Sequence, residues 1–191
     1  MRKGNLEIEI RFKISDIKKL REKLRSFGSK CLERWKGRDI LFDKKDELIP
    51  KGRVLRLRLG MKKSGRGKLT YKEPDRDPVF KIREEFETIV KNPEMAMKIL
   101  TGLNYLPVIQ YEKRTELWKY GGTEIYIEEL PEIGYFMEIE GSEKNIKKVA
   151  KILGFDIQKG VKKSYREYFV ALNKNKKEWF FKKTVEREVF E

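Results

Sequence analysis

Residues 5–14, NLEIEIRFKI, alternate strictly, with Leu6, Ile8, Ile10 and Phe12 on one parity and Glu7, Glu9, Arg11 and Lys13 on the other. Successive side chains of an extended chain point to opposite faces, so the segment predicts a β-strand with one apolar and one ionised side. The pattern recurs. Arg56 and Arg58 alternate with Leu55, Leu57 and Leu59; Lys68, Thr70 and Lys72 with Leu69 and Tyr71; Lys81, Arg83, Glu85 and Glu87 with Phe80, Ile82 and Phe86. Further on, Gln110, Glu112, Arg114 and Glu116 oppose Ile109, Tyr111 and Leu117; Glu124 and Glu128 oppose Ile125 and Ile127; Glu138 and Glu140 oppose Tyr135, Met137 and Ile139. KKSYREYFVAL is read as a last strand with Lys163, Tyr165 and Glu167 on one parity.

Three segments change period. Ile17, Leu20, Leu24 and Phe27 share a helical face, with Ser15 as the expected N-cap and Gly28 as the stop. A second helix is expected from Pro93, capped by Asn92, to Leu100, ending at Gly102; a third spans Glu143 to Leu153 with Gly154 as its stop. The expected fold class is α+β: an eight-stranded antiparallel barrel with helices packed outside. Residues 1–172 would form it. Residues 173–191 would be an amphipathic helical extension, with Phe181, Val185 and Val189 four apart. MKKSGRGK, between two strands, reads as a basic hairpin loop.

An open sheet with one wetted face alternates in the same way. What differs here is segregation by sign: Glu7 with Glu9, Arg56 with Arg58, Lys68 with Lys72, Glu138 with Glu140. Like charges two apart on a strand repel, and a sequence shaped by stability alone tends to avoid them. A site that takes up a cation and a polyanion together needs such segregation. If the strands close with the ionised parity inward, the lumen must be hydrated and balanced in sign. Glu7 and Glu9 would then offer metal oxygens, and Arg11 and Lys13 would begin a phosphate-binding wall.

Composition narrows the chemistry. The 191 residues carry a formal net charge of +15, which predicts an anionic partner. The chain has no histidine, which removes Ser-His and Cys-His nucleophile pairs and most transition-metal sites. A metal would have to be held by carboxylates, which select hard ions such as Mg²⁺ or Mn²⁺. Cys31 is the single cysteine, so no intrachain disulfide can form; it is read as an inert thiol. No apolar run suits a bilayer and the N-terminus shows no signal-peptide core, so a cytoplasmic protein with no membrane partner is expected. Trp35 and Trp118 are read as packing or rim residues and Tyr165 as core or tunnel mouth. Trp179, Phe180 and Phe181 hint at homodimer contacts.

EIEIRF resembles the Glu-x-Glu-x-Lys signature of the CYTH superfamily, the triphosphate tunnel metalloenzymes, with Arg11 at the signature lysine. The similarity continues in order through LFD (41–43), VLRLR (54–58), LTYKEP (69–74), REEFE (83–87), EKR (112–114), IEELPEIGYFMEIE (127–140) and SYREYF (164–169). That superfamily includes class IV adenylyl cyclases, thiamine triphosphatases, inorganic tripolyphosphatases and fungal RNA triphosphatases. The resemblance implies a metal set of Glu7, Glu9, Glu128, Glu138 and Glu140, with Glu128 standing where the family often has Asp. It implies phosphate contacts from Arg11, Lys13, Arg56, Arg58, Lys72, Arg83 and Arg114, with Glu85 and Glu87 lining the same lumen. Glu9, Arg58 and Lys72 would be catalytic. Where the family often has a lysine in the sixth segment this chain has Glu112, and parity is read as Arg114 inward and Lys113 outward. The His-Phe motif of bacterial class IV cyclases has no counterpart.

The expected activity is metal-dependent cleavage of a phosphoanhydride in ATP, thiamine triphosphate, tripolyphosphate or an RNA 5′-triphosphate. Two alternatives stand beside it: a cyclase releasing cAMP and pyrophosphate, and a non-catalytic RNA- or polyphosphate-binding module using Lys62 to Lys68 and the Lys-rich tail.

Overall fold

The computed structural model describes residues 5–60 and 65–182. Eight antiparallel strands close into a ring: β1 (Asn5–Ile14), β2 (Lys30–Asp43), β3 (Val54–Leu59), β4 (Gly67–Lys72), β5 (Lys81–Val90), β6 (Leu106–Tyr120), β7 (Thr123–Leu130) and β8 (Gly134–Glu140). Around the ring the order is β1-β5-β4-β3-β2-β6-β7-β8, and β8 pairs back onto β1. Closure leaves no long sheet edge exposed.

On every strand but β6 the apolar parity faces outward, as the alternation predicts, and helices cover much of it. α1 (Ile17–Ser26) and α3 (Glu143–Leu153) bury Leu20, Leu24, Ile146, Val149 and Leu153 against Ile10, Phe12, Ile125, Ile127, Met137 and Ile139. α2 (Pro93–Gly102) sets Leu100 against Ile40, Phe42 and Leu57. Asn92 caps α2, accepting from the Met95 amide at 2.9 Å. Gly154 ends α3 at φ 77°, a left-handed angle that costs glycine little. The cap of α1 is Asp16 and not Ser15: its carboxylate accepts from the Lys19 amide at 2.9 Å and also favours the helix dipole. No helix among the described residues is long and apolar enough to cross a membrane.

The sequence reading errs in two elements. β2 is a barrel strand in its own right, and the segment read as a last strand is a helix, α4 (Tyr165–Leu172). Ser164 and Glu167 form a capping box there: the Glu167 carboxylate accepts from the Ser164 amide at 2.7 Å while Ser164 Oγ accepts from the Glu167 amide at 3.3 Å. Once the first turn is fixed, Tyr165 and Phe169, four apart, fall on one buried face.

That face stops one end of the barrel. Inward positions Leu41, Ile109, Tyr111, Leu130 and Phe136 pack with Tyr165, Phe169 and Trp179 in a single apolar cluster. Trp179 belongs to β9 (Glu178–Trp179), which pairs in parallel with Gln110 and Tyr111 of β6, where β6 runs beyond its pairing with β7. The part of the expected C-terminal helix that can be seen, residues 173–182, is a turn and this short strand; Val185 and Val189 lie outside the described residues. Lys62 and Lys63 of the expected basic loop do so as well.

Candidate active site

The lumen is walled by the ionised parity of β1, β3, β4, β5, β7 and β8. Its charges are paired, which limits the cost of burying them. Toward the open end, Lys72 Nζ bonds both Glu7 oxygens, at 2.9 and 3.1 Å, and contacts Glu85. Arg83 Nε reaches Glu7 at 3.3 Å and Lys81 Nζ reaches Glu9 at 3.2 Å. Burial pushes the Lys72 ammonium down to about 8 against the opposing pull of Glu7. Deeper in, Arg11 Nε donates to Glu138 at 2.6 Å, its guanidinium lies 4.0 Å over the Tyr165 ring, and Tyr165 donates to Glu138 at 3.0 Å. Arg58 forms a bidentate pair with Asp39 at 2.6 and 2.9 Å, and Lys113 pairs with Glu128.

Glu7, Glu9 and Glu140 converge, one oxygen from each lying within 4.8 Å of the others. Burial raises the Glu140 carboxyl well above its ordinary range, and the Glu9, Glu7 and Glu138 carboxylates push it further. Burial would raise Glu9 too, but Lys81, Arg11 and Arg83 hold it well below the usual carboxylate range. Glu9 Oε1 is buried and makes no well-aligned hydrogen bond, its nearest cation being Lys81 Nζ at 3.2 Å. An all-oxygen set short of positive charge on its Glu140 side fits a hard divalent ion, so these residues suit the metal that the resemblance implies. A cavity of about 870 Å³ opens beside them, lined by Glu7, Glu124, Glu140 and the Tyr120–Thr123 turn.

Glu128 and Glu138, expected with the metal set, stand apart from the trio against Lys113 and Arg11. Two positions along a strand move a side chain about 6–7 Å toward the stopper. Arg56 lies in the lumen, 3.6 Å from Asp39 and 3.4 Å from Thr70 Oγ1. Lys13 does not line it: it is still paired with Phe136 of β8, at the stopper, but is exposed, with its ammonium 5.7 Å from the Tyr168 ring.

On β6 the assigned parity is reversed. Lys113 is 3% exposed and inward, whereas Arg114 points out, 3.1 Å from Glu129 and 4.1 Å from the Phe181 ring. The outward face of β6 is ionised because it is itself covered. Glu112 holds Lys36 and the Phe181 amide; Glu116 holds Arg21 and Arg34 and accepts from Trp118 Nε1. Counting charges therefore selects the wrong side. Lys113→Met should leave Glu128 buried without its partner and cost about 3–5 kcal/mol in a denaturation titration. Arg114→Met should cost no more than about 1 kcal/mol. Equal losses would contradict the observed parity.

Asp39, Lys81 and Lys113 are the lumen residues that the site reading lacked. The signal for Asp39 was present: Gly37, Asp39 and Leu41 alternate with Arg38, Ile40 and Phe42.

The CYTH domain family model matches residues 5–165. A candidate adenylate cyclase of Methanocaldococcus jannaschii is 31% identical over 149 residues, 78% of this chain and 83% of that protein. Among solved structures, a Pyrococcus horikoshii protein superposes with a TM-score of 0.75 at 24% identity, covering 87% of this chain and 99% of that one. A candidate adenylyl cyclase from Hippeastrum, described as having a dominant triphosphatase activity, gives 0.64 at 13% identity, covering 86% and 94%. At such identities the structural likeness speaks for the fold; the family follows from the match across the ionised strands. The chain belongs to the CYTH domain family.

Proposed function

We propose that the protein binds a triphosphate in its lumen and cleaves a phosphoanhydride bond with the help of a divalent cation. One observation carries this reading: within one enclosed space, a carboxylate trio faces a wall of lysines and arginines. Glu7, Glu9 and Glu140 would hold Mg²⁺ or Mn²⁺, which supplies charge neutralisation on the phosphate oxygens. Lys72, Lys81 and Arg83 now spend their charge on Glu7 and Glu9, and once those acids have a cation these bases are available to phosphate. Arg56, Arg58, Arg11 and Lys113 stand behind them to spread the charge that grows on the transferring group. The apolar stopper closes the far end, so substrate would arrive from the cavity beside Glu7 and Glu140. Glu9, Arg58 and Lys72 remain our choice of catalytic residues.

The kinship with the M. jannaschii protein favours a second reading, in which a ribose 3′-hydroxyl attacks the α-phosphorus and pyrophosphate leaves. The experiment incubates the pure protein with Mg²⁺ or Mn²⁺ and ATP, thiamine triphosphate or tripolyphosphate. Orthophosphate release supports the phosphohydrolase; cyclic nucleotide plus pyrophosphate supports the cyclase. Metal-independent binding that falls steeply with salt, without turnover, would leave a polyanion-binding module.

A further inference from the structure

The innermost charged layer of the lumen contains an acid for which the proposed chemistry has no use. Asp39 is fully buried. Its oxygens accept from Arg58 at 2.6 and 2.9 Å, and Oδ2 also lies 3.6 Å from Arg56 and 4.0 Å from Lys113. Three cations on one carboxylate is the surrounding that such bases offer a phosphate group. Beyond this layer the lumen turns apolar on β2, β6, β7 and β8, and on β3 after Arg56, which lies opposite Leu41 and is followed by Val54. Leu41 follows Asp39 on β2, Tyr111 and Ile109 lie beyond Lys113 on β6, Leu130 follows Glu128 on β7, and Phe136 lies past Glu138 on β8. The carboxylate trio lies on the other side of this layer, since Glu140 is two positions from Glu138 away from the stopper.

We propose that Asp39 is a built-in anion that fills the last anion position of the cation-lined track and so fixes where the substrate's phosphate chain ends. The inference rests on the triphosphate reading and adds a residue that sets chain-length specificity. A phosphate chain reaching in from the mouth meets Lys72 and Arg83, then the guanidinium edges of Arg56 and Arg58 that Asp39 leaves free. A further phosphate would need the place of the carboxylate, which repels it and already holds Arg58 in a bidentate pair.

The test uses the full chain, as wild type, Asp39→Ala and Asp39→Asn. Calorimetry with Mg²⁺ present gives the affinities for tripolyphosphate and tetrapolyphosphate, and thermal melts are run with and without inorganic phosphate. Removing the carboxylate should move the affinity ratio toward tetrapolyphosphate by about tenfold or more. Phosphate should then raise the melting temperature of Asp39→Ala more than that of wild type. A wild-type ratio together with no extra stabilisation by phosphate would overturn the proposal. If Asp39→Ala does not fold, refolding it with phosphate supports the anion position when folded protein is recovered. Failure to recover it, together with a wild-type ratio in Asp39→Asn, overturns it. A wild-type protein that binds neither polyphosphate would instead defeat the proposed function, and the phosphate-dependent melts of the Asp39 variants would still decide whether the deep position takes an anion.

Discussion

Glu9→Gln should lower metal-dependent turnover by about 10²–10³-fold, the loss typical of removing one well-placed electrostatic contact from a transition state. Glu9 is the acid on which the lumen converges. It belongs to the carboxylate trio, and Lys81, Arg11 and Arg83 approach one of its oxygens at 3.2, 3.6 and 3.9 Å. Glutamine keeps the volume and the extended side chain but removes the negative charge, so the expected fault is electrostatic. The trio loses the member on which three cations converge, and Lys81 is left without its nearest counter-charge. Binding should weaken in a diagnostic way: with metal titrated against the protein by calorimetry, the apparent affinity should fall while a cooperative melt shows the barrel intact. Turnover within about twofold of wild type, with the barrel folded, would remove Glu9 from the machinery.

The second large effect is on stability. Phe169→Ala should cost about 3–5 kcal/mol, a large share of what holds a domain of this size together. The Phe169 ring is fully buried, 4.8 Å from Trp179 in a stacked arrangement and 5.1 Å from Tyr111. Deleting it opens a void where α4, β9 and the barrel wall meet. The denaturant midpoint should fall, and the slope should stay unchanged if unfolding remains two-state. A loss below about 1 kcal/mol would mean that the stopper can collapse around the gap, or that it contributes little to the fold. Leu172, more than half exposed at the end of the same helix, is the natural comparison, and Leu172→Ala should be close to neutral.

How much was legible depended on whether a strand's two faces differ in kind. On β1, β3, β4, β5 and β8 one parity is apolar and the other ionised, and the inward face follows directly from alternation. Glu7, Glu9, Arg56, Arg58, Lys72, Arg83, Glu138 and Glu140 were therefore placed correctly in the lumen. On β6 both faces carry charge, because the outside is covered as well: Arg21 of α1 and Arg34 and Lys36 of β2 pair with its glutamates, and the Phe181 amide donates to Glu112. Parity alone therefore selects Arg114, where the barrel turns Lys113 inward. In α4, aromatic and charged residues alternate for a few positions like a strand. The capping box of Ser164 and Glu167 was the stronger signal and should have outweighed the parity.

The sequence by itself determined the alternation, the segregation of charge into like-signed pairs, the helix cap at Asn92 and the helix stop at Gly154, and the absence of histidine that leaves carboxylates as the metal ligands. Each is local: a period of two or 3.6 and a residue type decide it. Only the tertiary structure decided that Glu7, Glu9 and Glu140 meet while Glu138 and Glu128 turn to Arg11 and Lys113, and that Asp39 sits among three cations. The register between strands and the closure of the ring set those distances, and a shift of one residue in register would exchange the two faces of a strand. The sequence supplies the charges, and the closed barrel chooses their partners.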